Sequence, residues 1–496
     1  MSCETLTAPP APVPPGRADP PAPTSSAAPP RASSLTAWGL GVLLVAYAPV
    51  NFTFGSVNVL ADAIGRDLGA DAAGQQLVLA AYTTAFAATL VIAGRLGDRW
   101  GRRRLLLIGG LGVGVISVAT AFVPDLTSTV ALRVLLGVAA GLLTPQVLAT
   151  IQSASSGTAR TRGLMLFVAV SGASTVVGQI VAGTVAHALP EHLGWRAVQI
   201  LTGLIALTAV AGLRTVPRTR SSAPLSLDAI GASVLGASLL PIVVPLTIGR
   251  SLGWPSWTVV SLLVGVALLA AFWALQRRSE RRGTVPVVPP SVLRLTPVRR
   301  GLLMTLLFFM TYGAFLYELS AFAQHRYAMG PLGPALLVLG FGIAFIAASL
   351  ALPRLIPAAG ELTMASAGLA QAVILAAIAV LISTGHHDIA SLQWALIPLG
   401  VAQALMFGPV LKTVLSRAPQ WAAGVGSGLF ATVQQLGLTL GVALLGGLFW
   451  TLAGPEQEHL EHALVTVFWI HVGCALLFVA LAHSLRSHRE TAPTAE

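Results

Sequence analysis

The stretch "AGRLGDRWGRRRLLLIGG", residues 93–110, carries five arginines and one aspartate between two long segments that have no charged residue. Over the whole chain only 9% of the residues are charged and 55% are hydrophobic. A typical soluble domain carries about 25% charged residues. This composition excludes an ordinary soluble fold, and it suggests that residues 93–110 connect two segments that are buried in a membrane.

Working outward from this stretch, fourteen runs of at least 17 residues lack Asp, Glu, Lys and Arg. A helix rises about 1.5 Å per residue, and roughly 17 to 25 residues cross the apolar core of a bilayer. Each run can therefore form one transmembrane helix, and the sequence predicts an all-α membrane protein with fourteen of them. Numbered in chain order, the runs are 32–61, 72–94, 105–124, 134–159, 163–190, 197–213, 229–249, 251–276, 301–317, 327–353, 362–387, 389–411, 418–455 and 462–485.

The positive charges predict the orientation of these helices. Of the 29 Lys and Arg, four lie in one set of alternating loops (Arg66, Arg196, Arg250 and Arg326) and Arg133 lies within the fourth helix. The other 24 lie in the two tails and the opposite loops, and such an excess marks the cytoplasmic side. We therefore expect a multi-pass protein of the cell membrane with both termini in the cytoplasm.

A weak repeat predicts the internal organisation. "RLGDRWG" at 95–101 and "RLIPAAG" at 354–360 share Arg-Leu, four further residues and Gly, and both follow the second run of a group of six. The chain is read as two six-helix halves with an extra helix pair between them, one architecture of secondary transporters. The predicted divisions are a disordered tail (1–34), the first half (35–216), the inserted pair (217–276), a basic connector (277–300), the second half (301–485) and a tail (486–496).

These features resemble the major facilitator superfamily, in particular its fourteen-helix drug:proton antiporter branch. The resemblance rests on the basic segment together with "VNV" at 57–59, "RDL" at 66–68, "RVLLGVAAGLLTP" at 133–145, "GWR" at 194–196 and "GSGLFATVQQLGLTLG" at 426–441. It implies that the loop between the second and third helices is a gating latch that locks the two halves in the outward-facing state. The residues that match this latch are Gly94, Asp98, Arg99, Gly101, Arg102 and Arg103.

The latch is also plausible on physical grounds. The arginines alone would serve as a topology anchor, but a carboxylate at position 98 opposes that role. Asp98 is therefore expected to have a partner, either a nearby arginine or the N-terminus of a neighbouring helix. Gly94, Gly97 and Gly101 are expected to let helix backbones approach closely.

Two charged residues within the apolar runs are candidates for proton coupling. A charge at the bilayer centre costs at least about 2.5 to 3.5 kcal/mol, so Arg133 is expected to face a cavity or a carboxylate. The alternative is that the side chain of Arg133 extends to the membrane surface. The resemblance ties this arginine to proton coupling. Glu318 lies roughly 27 Å along the helix from Arg300, and it is either a proton carrier or a glutamate that reaches water.

Polar residues predicted in the substrate cavity differ from the branch at two positions. Thr53 stands where the branch has an aspartate, and Gln179 replaces a proline of its fifth-helix motif. Asn51, Gln434 and Gln435 lie in helices that line the cavity in the family. Amides in membrane helices also serve as hydrogen-bonded contacts between helices, and that alternative stays open.

The predicted function is proton-coupled export of a hydrophobic or amphipathic small molecule, as in drug or antibiotic efflux. A facilitator or importer of a neutral metabolite on the same fold is the alternative, since fold alone does not decide function. Paired acids or a metal motif within the runs are lacking, so an enzyme is not expected. No cofactor, metal site or nucleic-acid partner is expected either; the partners are the bilayer, protons and the substrate, and the chain is expected to be a monomer.

Overall fold

The computed structural model describes residues 34–70, 72–219, 228–249, 252–284, 286, 288–330, 332–355, 361–385, 388–417, 423–454 and 458–490. Within these residues the regular secondary structure is helical. The predicted N-terminal tail, except Ser34, lies outside the described residues, as do positions 356–360 of the repeat "RLIPAAG".

The predicted first half contains six helices, in agreement with the runs of apolar residues. They are α1 (Ala37–Asp67), α2 (Ala72–Trp100), α3 (Arg102–Thr120), α4 (Leu126–Ala154), α5 (Gly157–Ala188) and α6 (Glu191–Gly212). Side-chain caps mark two of their starts. Thr36 Oγ1 accepts a hydrogen bond from Gly39 N at 3.0 Å at the start of α1, and Asp125 Oδ1 accepts one from Ser128 N at 2.8 Å at the start of α4. Such caps satisfy backbone N–H groups that the helix leaves unpaired.

The inserted pair and the second half follow, with more breaks. Their helices are α7 (Ala229–Ile248), α8 (Ser256–Arg281), the short α9 (Pro290–Arg294), α10 (Thr296–Arg326), α11 (Leu332–Leu337), α12 (Leu339–Leu355), α13 (Glu361–Ser383), α14 (Ile389–Arg417), α15 (Ala423–Leu440), α16 (Gly447–Ala453) and α17 (Leu460–Glu490). A π-helical segment, Gly441–Gly446, joins α15 to α16. The run 327–353, predicted as one helix, is divided between α11 and α12 at Val338, whereas Gly428–Ala453 within the run 418–455 forms one apolar span that contains the π-helical segment.

The apolar helices support a membrane protein. Eleven of the described helices are long and apolar enough to cross a bilayer, and α2, which is bent by 49°, brings the number to as many as twelve. Two shorter apolar helices, Ser233–Leu246 and Leu339–Ala351, lie within α7 and α12. The all-α membrane class is confirmed, whereas the count of fourteen stays a prediction.

Helix packing positions the site between the predicted halves. In the first half α2 and α3 pack on α4 and α1 packs on α5; in the second, α10 packs on α15 and α13 on α17. Across the two halves, α2 contacts α15 and α5 contacts α12. Helix α7 packs on α2 and also reaches the π-helical segment, so the inserted pair lies beside the boundary between the halves.

Two ends of the bundle can be distinguished. The start of α1, the end of α2, the start of α3 and the end of α4 meet at one end, where Leu35 N donates to Ala154 O at 2.9 Å and Arg102 reaches Ser153. We call this the basic end, because it carries Arg95 to Arg104. The other end, where Asp67 at the end of α1 meets Arg196 of α6, is called the distal end.

Candidate transport site

The basic segment is helical, which corrects its prediction as a loop. Helix α2 continues to Trp100 and α3 begins at Arg102, so only Gly101 separates them. Gly101 has φ +95°, a conformation that favours glycine, and no atom lies within 4 Å of a Cβ placed there. The expected close approach at Gly101 is therefore wrong, and the glycine serves the sharp turn between the two helices.

Close approach occurs instead at Gly97. A Cβ on this residue would lie 1.9 Å from Oε1 of Gln146 on α4, so any larger side chain would displace that glutamine. Gln146 is buried, and its Nε2 donates to Ala93 O at 2.7 Å. The glycine thus lets α2 and α4 pack face to face at the basic end.

Asp98 has an arginine partner. Its Oδ1 lies 3.0 Å from Nη2 of Arg102, and both side chains are largely buried. Nη1 of Arg102 also donates to Ala149 O at 3.0 Å and to Ser153 Oγ at 2.5 Å, near the C-terminus of α4. This arginine therefore joins the ends of α2, α3 and α4. Arg99 is exposed and Arg103 is half-buried, while Gly94 lies within α2.

The basic segment also contacts the connector and the inserted pair, which the sequence did not predict. Arg95 is buried and donates through Nη2 to Pro286 O. Two residues away, Val288 N donates to Oε1 of Gln276 at 2.9 Å. Nε2 of Gln276 donates in turn to Oδ2 of Asp228 at 2.8 Å, the residue that caps α7. One hydrogen-bonded cluster thus fastens the base of the inserted pair beside the basic segment.

The main candidate for a substrate site is a cavity of about 260 Å³ between the two predicted halves. It lies toward the distal end, and we call it the distal cavity. Its polar lining residues are Asn58, Tyr82, Thr83, Arg133, Tyr317, Thr439 and Thr451, and Leu246 and Trp254 of the inserted pair also contribute. Ligand sites in proteins are commonly apolar with a few placed polar groups, as this one is.

Arg133 faces this cavity, as expected of a charge within a membrane helix. It is 2% exposed and lies 5.1 Å from the ring centroid of Tyr82, while its Nε donates to Val78 O at 3.2 Å. Its Nη1 has no hydrogen-bond acceptor among the described residues. Arg133 therefore faces a cavity and an aromatic ring, and no ion pair joins it to a carboxylate in the described part of the chain.

A second, much smaller cavity of about 10 Å³ lies at the centre of the molecule. Asn51 and Gln434, both predicted cavity residues, line it together with an aromatic group from the second half. Phe54 and Leu438 line both cavities, so the two adjoin. About 10 to 15 Å³ is needed to hold one water molecule. The central cavity is therefore almost closed in this conformation.

The other predicted cavity residues do not line either of these two cavities. Thr53 and Gln179 are each 1% exposed, and neither Thr53 Oγ1 nor Gln179 Oε1 has a hydrogen-bond partner among the described residues. Gln435 is also buried. Next to Gln179, a Cβ on Gly178 would lie 2.4 Å from Phe52 O, which shows how closely α5 and α1 pack. These positions belong to contacts between helices in this conformation.

Glu318 is paired with His471. Oε2 of Glu318 lies 3.0 Å from Nε2 of His471, and both residues are 0% exposed. The pair joins α10 to α17, and the ring of Phe468 lies edge-on to the imidazole at 5.9 Å. Oε1 of Glu318 and Nδ1 of His471 have no partner in the described residues. The alternative, a glutamate that reaches water, does not hold in this conformation, and the neighbouring Tyr317, not Glu318, lines the distal cavity.

Two sequence motifs meet at the distal end. Asp67, from "RDL", accepts a hydrogen bond from Nε1 of Trp195 at 2.9 Å and forms an ion pair with Arg196, both from "GWR". The guanidinium of Arg196 lies 4.3 Å from the ring centroid of Trp195. This cluster ties α1 to α6 within the first half.

Comparison with known proteins agrees with this architecture. The family model described as Major Facilitator Superfamily matches residues 43–442. The "Probable actinorhodin transporter" of Streptomyces coelicolor is 30% identical over 459 residues, which cover 91% of this chain and 79% of that protein. The "Puromycin resistance protein pur8" of Streptomyces alboniger is 34% identical over 422 residues, covering 82% of this chain and 80% of that protein.

Among solved structures, the proton:xylose symporter XylE matches with a TM-score of 0.63 at 14% identity. The match covers 90% of this chain and 95% of that one, and at this identity it shows the fold alone. The family match over residues 43–442, the relatives and the shared fold agree with the motifs read from the sequence. The chain therefore belongs to the Major Facilitator Superfamily.

Proposed function

We propose that this chain is a proton-coupled exporter of hydrophobic or amphipathic small molecules in the cell membrane. The names of its relatives, an actinorhodin transporter and a puromycin resistance protein, support export of antibiotics or drugs. The proposal includes fourteen membrane spans with both termini in the cytoplasm, so that the basic end is cytoplasmic and the distal cavity opens outward. It also includes a monomeric chain.

The buried pair of Glu318 and His471 is the observation that carries proton coupling. An acid and a base that are both 0% exposed within membrane helices need a reason to be there, because intramembrane ionisable groups are costly. A carboxylate next to an imidazole can hold one proton or two, so the pair can take up a proton and release it. Thr53 cannot replace it, since a threonine hydroxyl does not titrate in this range. Arg133, in the wall of the distal cavity, is the proposed link between substrate and proton.

The proposed gating latch is the hydrogen-bonded group at the basic end. Asp98 and Arg102 link α2 to α3 and α4, next to the glycine turn at Gly101. Opening the basic end would require this group to break or to move as a unit. Gly94, Arg99 and Arg103 complete the proposed latch.

A facilitator or importer of a neutral metabolite is the second candidate. The missing acid at Thr53 and the glutamine at Gln179 favour it, because both depart from the antiporter pattern. The shared fold with a symporter does not choose between the two directions.

Transport into everted membrane vesicles tests the proposed function. Vesicles that contain the chain should accumulate rhodamine 123 or fluorescein when a proton gradient is imposed, and a protonophore should abolish the accumulation. Vesicles without the chain are the control. Equilibration of either dye that is independent of the gradient would instead support the facilitator.

A further inference from the structure

We infer that the distal cavity selects aromatic ligands that carry a hydrogen-bond-accepting or acidic group, such as a carboxylate, phenolate or enolate. Lipophilic cations would bind poorly there. The inference deepens the proposed function and rests on it, because it names the chemical class of ligand for the same cavity. It depends on three observations about the residues that line this cavity.

The first observation is the sign of the charge. Arg133 is the charged residue that lines the distal cavity, and no Asp or Glu is among the described residues that line it. Asp62, one helical turn beyond Asn58 on α1, is partly exposed and is not part of the lining. A ligand in the distal cavity therefore meets a positive charge and no negative one.

The second observation is a surplus of hydrogen-bond donors. Nη1 of Arg133 and Nδ2 of Asn58 are both buried and have no acceptor among the described residues. A buried donor without a partner is costly, so a ligand that supplies acceptors gains affinity there. A guanidinium also matches a carboxylate in shape, because its N–H groups can donate to both oxygens.

The third observation is an aromatic wall. Tyr82, Tyr317 and Trp254 line the distal cavity, and Trp254 comes from the turn between α7 and α8. Trp254 has φ +54°, an unusual conformation for a residue with a side chain, and its backbone N donates to Gly249 O at 2.7 Å. The inserted pair thus holds a large ring against the cavity, where it can stack on a planar ligand.

Aromatic walls also attract cations, so the two effects must be compared. At an effective dielectric constant of about 20, two like charges about 5 Å apart weaken association roughly 200-fold. A cation over an aromatic ring gains only about two- to thirtyfold in affinity. Repulsion from Arg133 therefore exceeds the attraction of a ring, and the distal cavity should disfavour cations.

Equilibrium binding of two dyes with the same ring system tests the inference. Fluorescein is an anion and rhodamine 123 a cation near pH 7.5, and both share the xanthene core. Binding to the purified full chain in lipid nanodiscs would be followed by fluorescence anisotropy, with empty nanodiscs as the blank. We expect fluorescein to bind at least tenfold more tightly than rhodamine 123. Equal affinities, or tighter binding of rhodamine 123, would overturn the inference.

Variants locate the preference in the distal cavity. Arg133→Gln should weaken fluorescein binding at least tenfold and should leave rhodamine 123 binding equal or tighter. Arg66→Gln is the matched control, because it removes an exposed arginine at the distal end of α1. It should change the affinity for neither dye. Unchanged fluorescein affinity in Arg133→Gln would contradict the inference.

A second variant covers the case in which Arg133→Gln does not fold. Thr451 lines the distal cavity and is exposed, so Thr451→Glu adds an acid without disturbing a buried contact. It should weaken fluorescein binding and strengthen rhodamine 123 binding, each by several-fold. If Thr451→Glu leaves the ratio of the two affinities unchanged, the cavity does not select by charge.

The outcome is separate from that of the export test. Binding is measured here without any gradient, so Arg133-dependent binding of fluorescein without pumping would support this inference and reject export. Uphill transport of rhodamine 123 together with weak fluorescein binding would support export and reject this inference.

Discussion

Glu318 and His471 are both 0% exposed, and each leaves one polar atom unpaired in the described structure. Each polar atom that remains unpaired in a low-dielectric interior costs free energy. A folded protein keeps unpaired polar atoms of this kind when the side chains have a function. A second conformation that admits water would supply hydrogen-bond partners for these two atoms. The pair therefore fits a proton site that is dry in this conformation and accessible in another.

We expect Glu318→Gln to retain ligand binding but to lose gradient-driven accumulation and the pH dependence of transport. Glutamine keeps the shape and can still bond to His471, whereas it cannot take up a proton. The measurement is dye transport in proteoliposomes across an imposed pH gradient, over a range of pH. Glu458→Gln, at an exposed acid, is the control and should behave as the wild type. Uphill transport by Glu318→Gln at the wild-type rate would exclude the carrier role.

The sequence predicted the charged residues better than their partners. Arg133 and Glu318 stand out because they are charges within apolar runs, and both are fully or almost fully buried. His471 is 153 positions from Glu318, so only the packing of α10 on α17 brings them together. Asn58 lay in the quoted motif "VNV" and could have been selected as a polar residue in an apolar run, whereas nothing in the sequence assigns Trp254 to a cavity.

In the basic segment, the turn between α2 and α3 is shorter than the cluster of arginines suggests. Five arginines within eighteen residues indicated a loop, yet Gly101 alone separates α2 from α3. Each arginine can lie on a helix because its aliphatic stem packs along the protein while its head reaches a polar group. Arg102 does so by bonding to Ala149 O near the C-terminus of α4, where the helix dipole favours a cation.

The proposed latch leads to a prediction for Asp98→Asn. This change removes a charge from a largely buried ion pair but leaves every arginine of the basic end, so membrane insertion should be unchanged. We expect the transport rate to fall several-fold, because Arg102 is held less firmly between α2 and α4. Dye transport at equal protein amounts in proteoliposomes is the measurement. Asp388→Asn, an exposed helix cap that asparagine can also form, is the control. A wild-type rate for Asp98→Asn would argue against the latch.

The inserted pair leads to a prediction for Gln276→Leu. Gln276 is 0% exposed, and its amide bonds both to Asp228 and to the backbone of Val288. Leucine would leave a carboxylate and an N–H group without these partners, at a cost of about 1 to 3 kcal/mol each. We expect a lower Tm in thermal unfolding by tryptophan fluorescence. Gln393→Leu, which removes a single 3.2 Å bond to Leu336 O, should lower Tm less. An equal effect of both changes would contradict this account.

Elements in the second half were harder to predict than those in the first. A run without charges shows where a span can lie, but the break at Val338 and the π-helical turns at Gly441–Gly446 depend on packing. A Cβ on Gly441 would lie 2.0 Å from Met310 O, so α10 approaches the π-helical segment at backbone distance. Four residues of this segment line the distal cavity, and π-helical turns are frequent at functional sites. Hydropathy carries no signal for such a turn.

The two predicted halves touch where α5 meets α12. A Cβ on Gly172 would lie 2.1 Å from Cε1 of Phe345, and a Cβ on Gly342 would lie 2.4 Å from Cγ1 of Val176. Gly172 and Phe345 also line the central cavity. Small residues permit such close helix contacts in membranes. The halves therefore meet through glycine contacts next to the central cavity, and any alternation between two conformations must move or rotate them there.

This contact predicts that Gly172→Val impairs transport. The added atoms overlap the ring of Phe345, so α5 and α12 must separate or the buried ring must turn, and overpacking of this kind costs about 1 to 3 kcal/mol. We expect at least a fivefold lower rate of dye transport in proteoliposomes, with the chain still inserted and folded. Gly473→Val on α17 is the matched control, because no atom lies within 4 Å of a Cβ at that position. If the overlap with Phe345 is the cause, the double variant Gly172→Val with Phe345→Ala makes room for the valine and should regain at least half of the lost rate. A defect that persists in the double variant would show that glycine is needed for its backbone conformation and not for the space between α5 and α12. A wild-type rate in Gly172→Val alone would show that these two helices need not stay this close during transport.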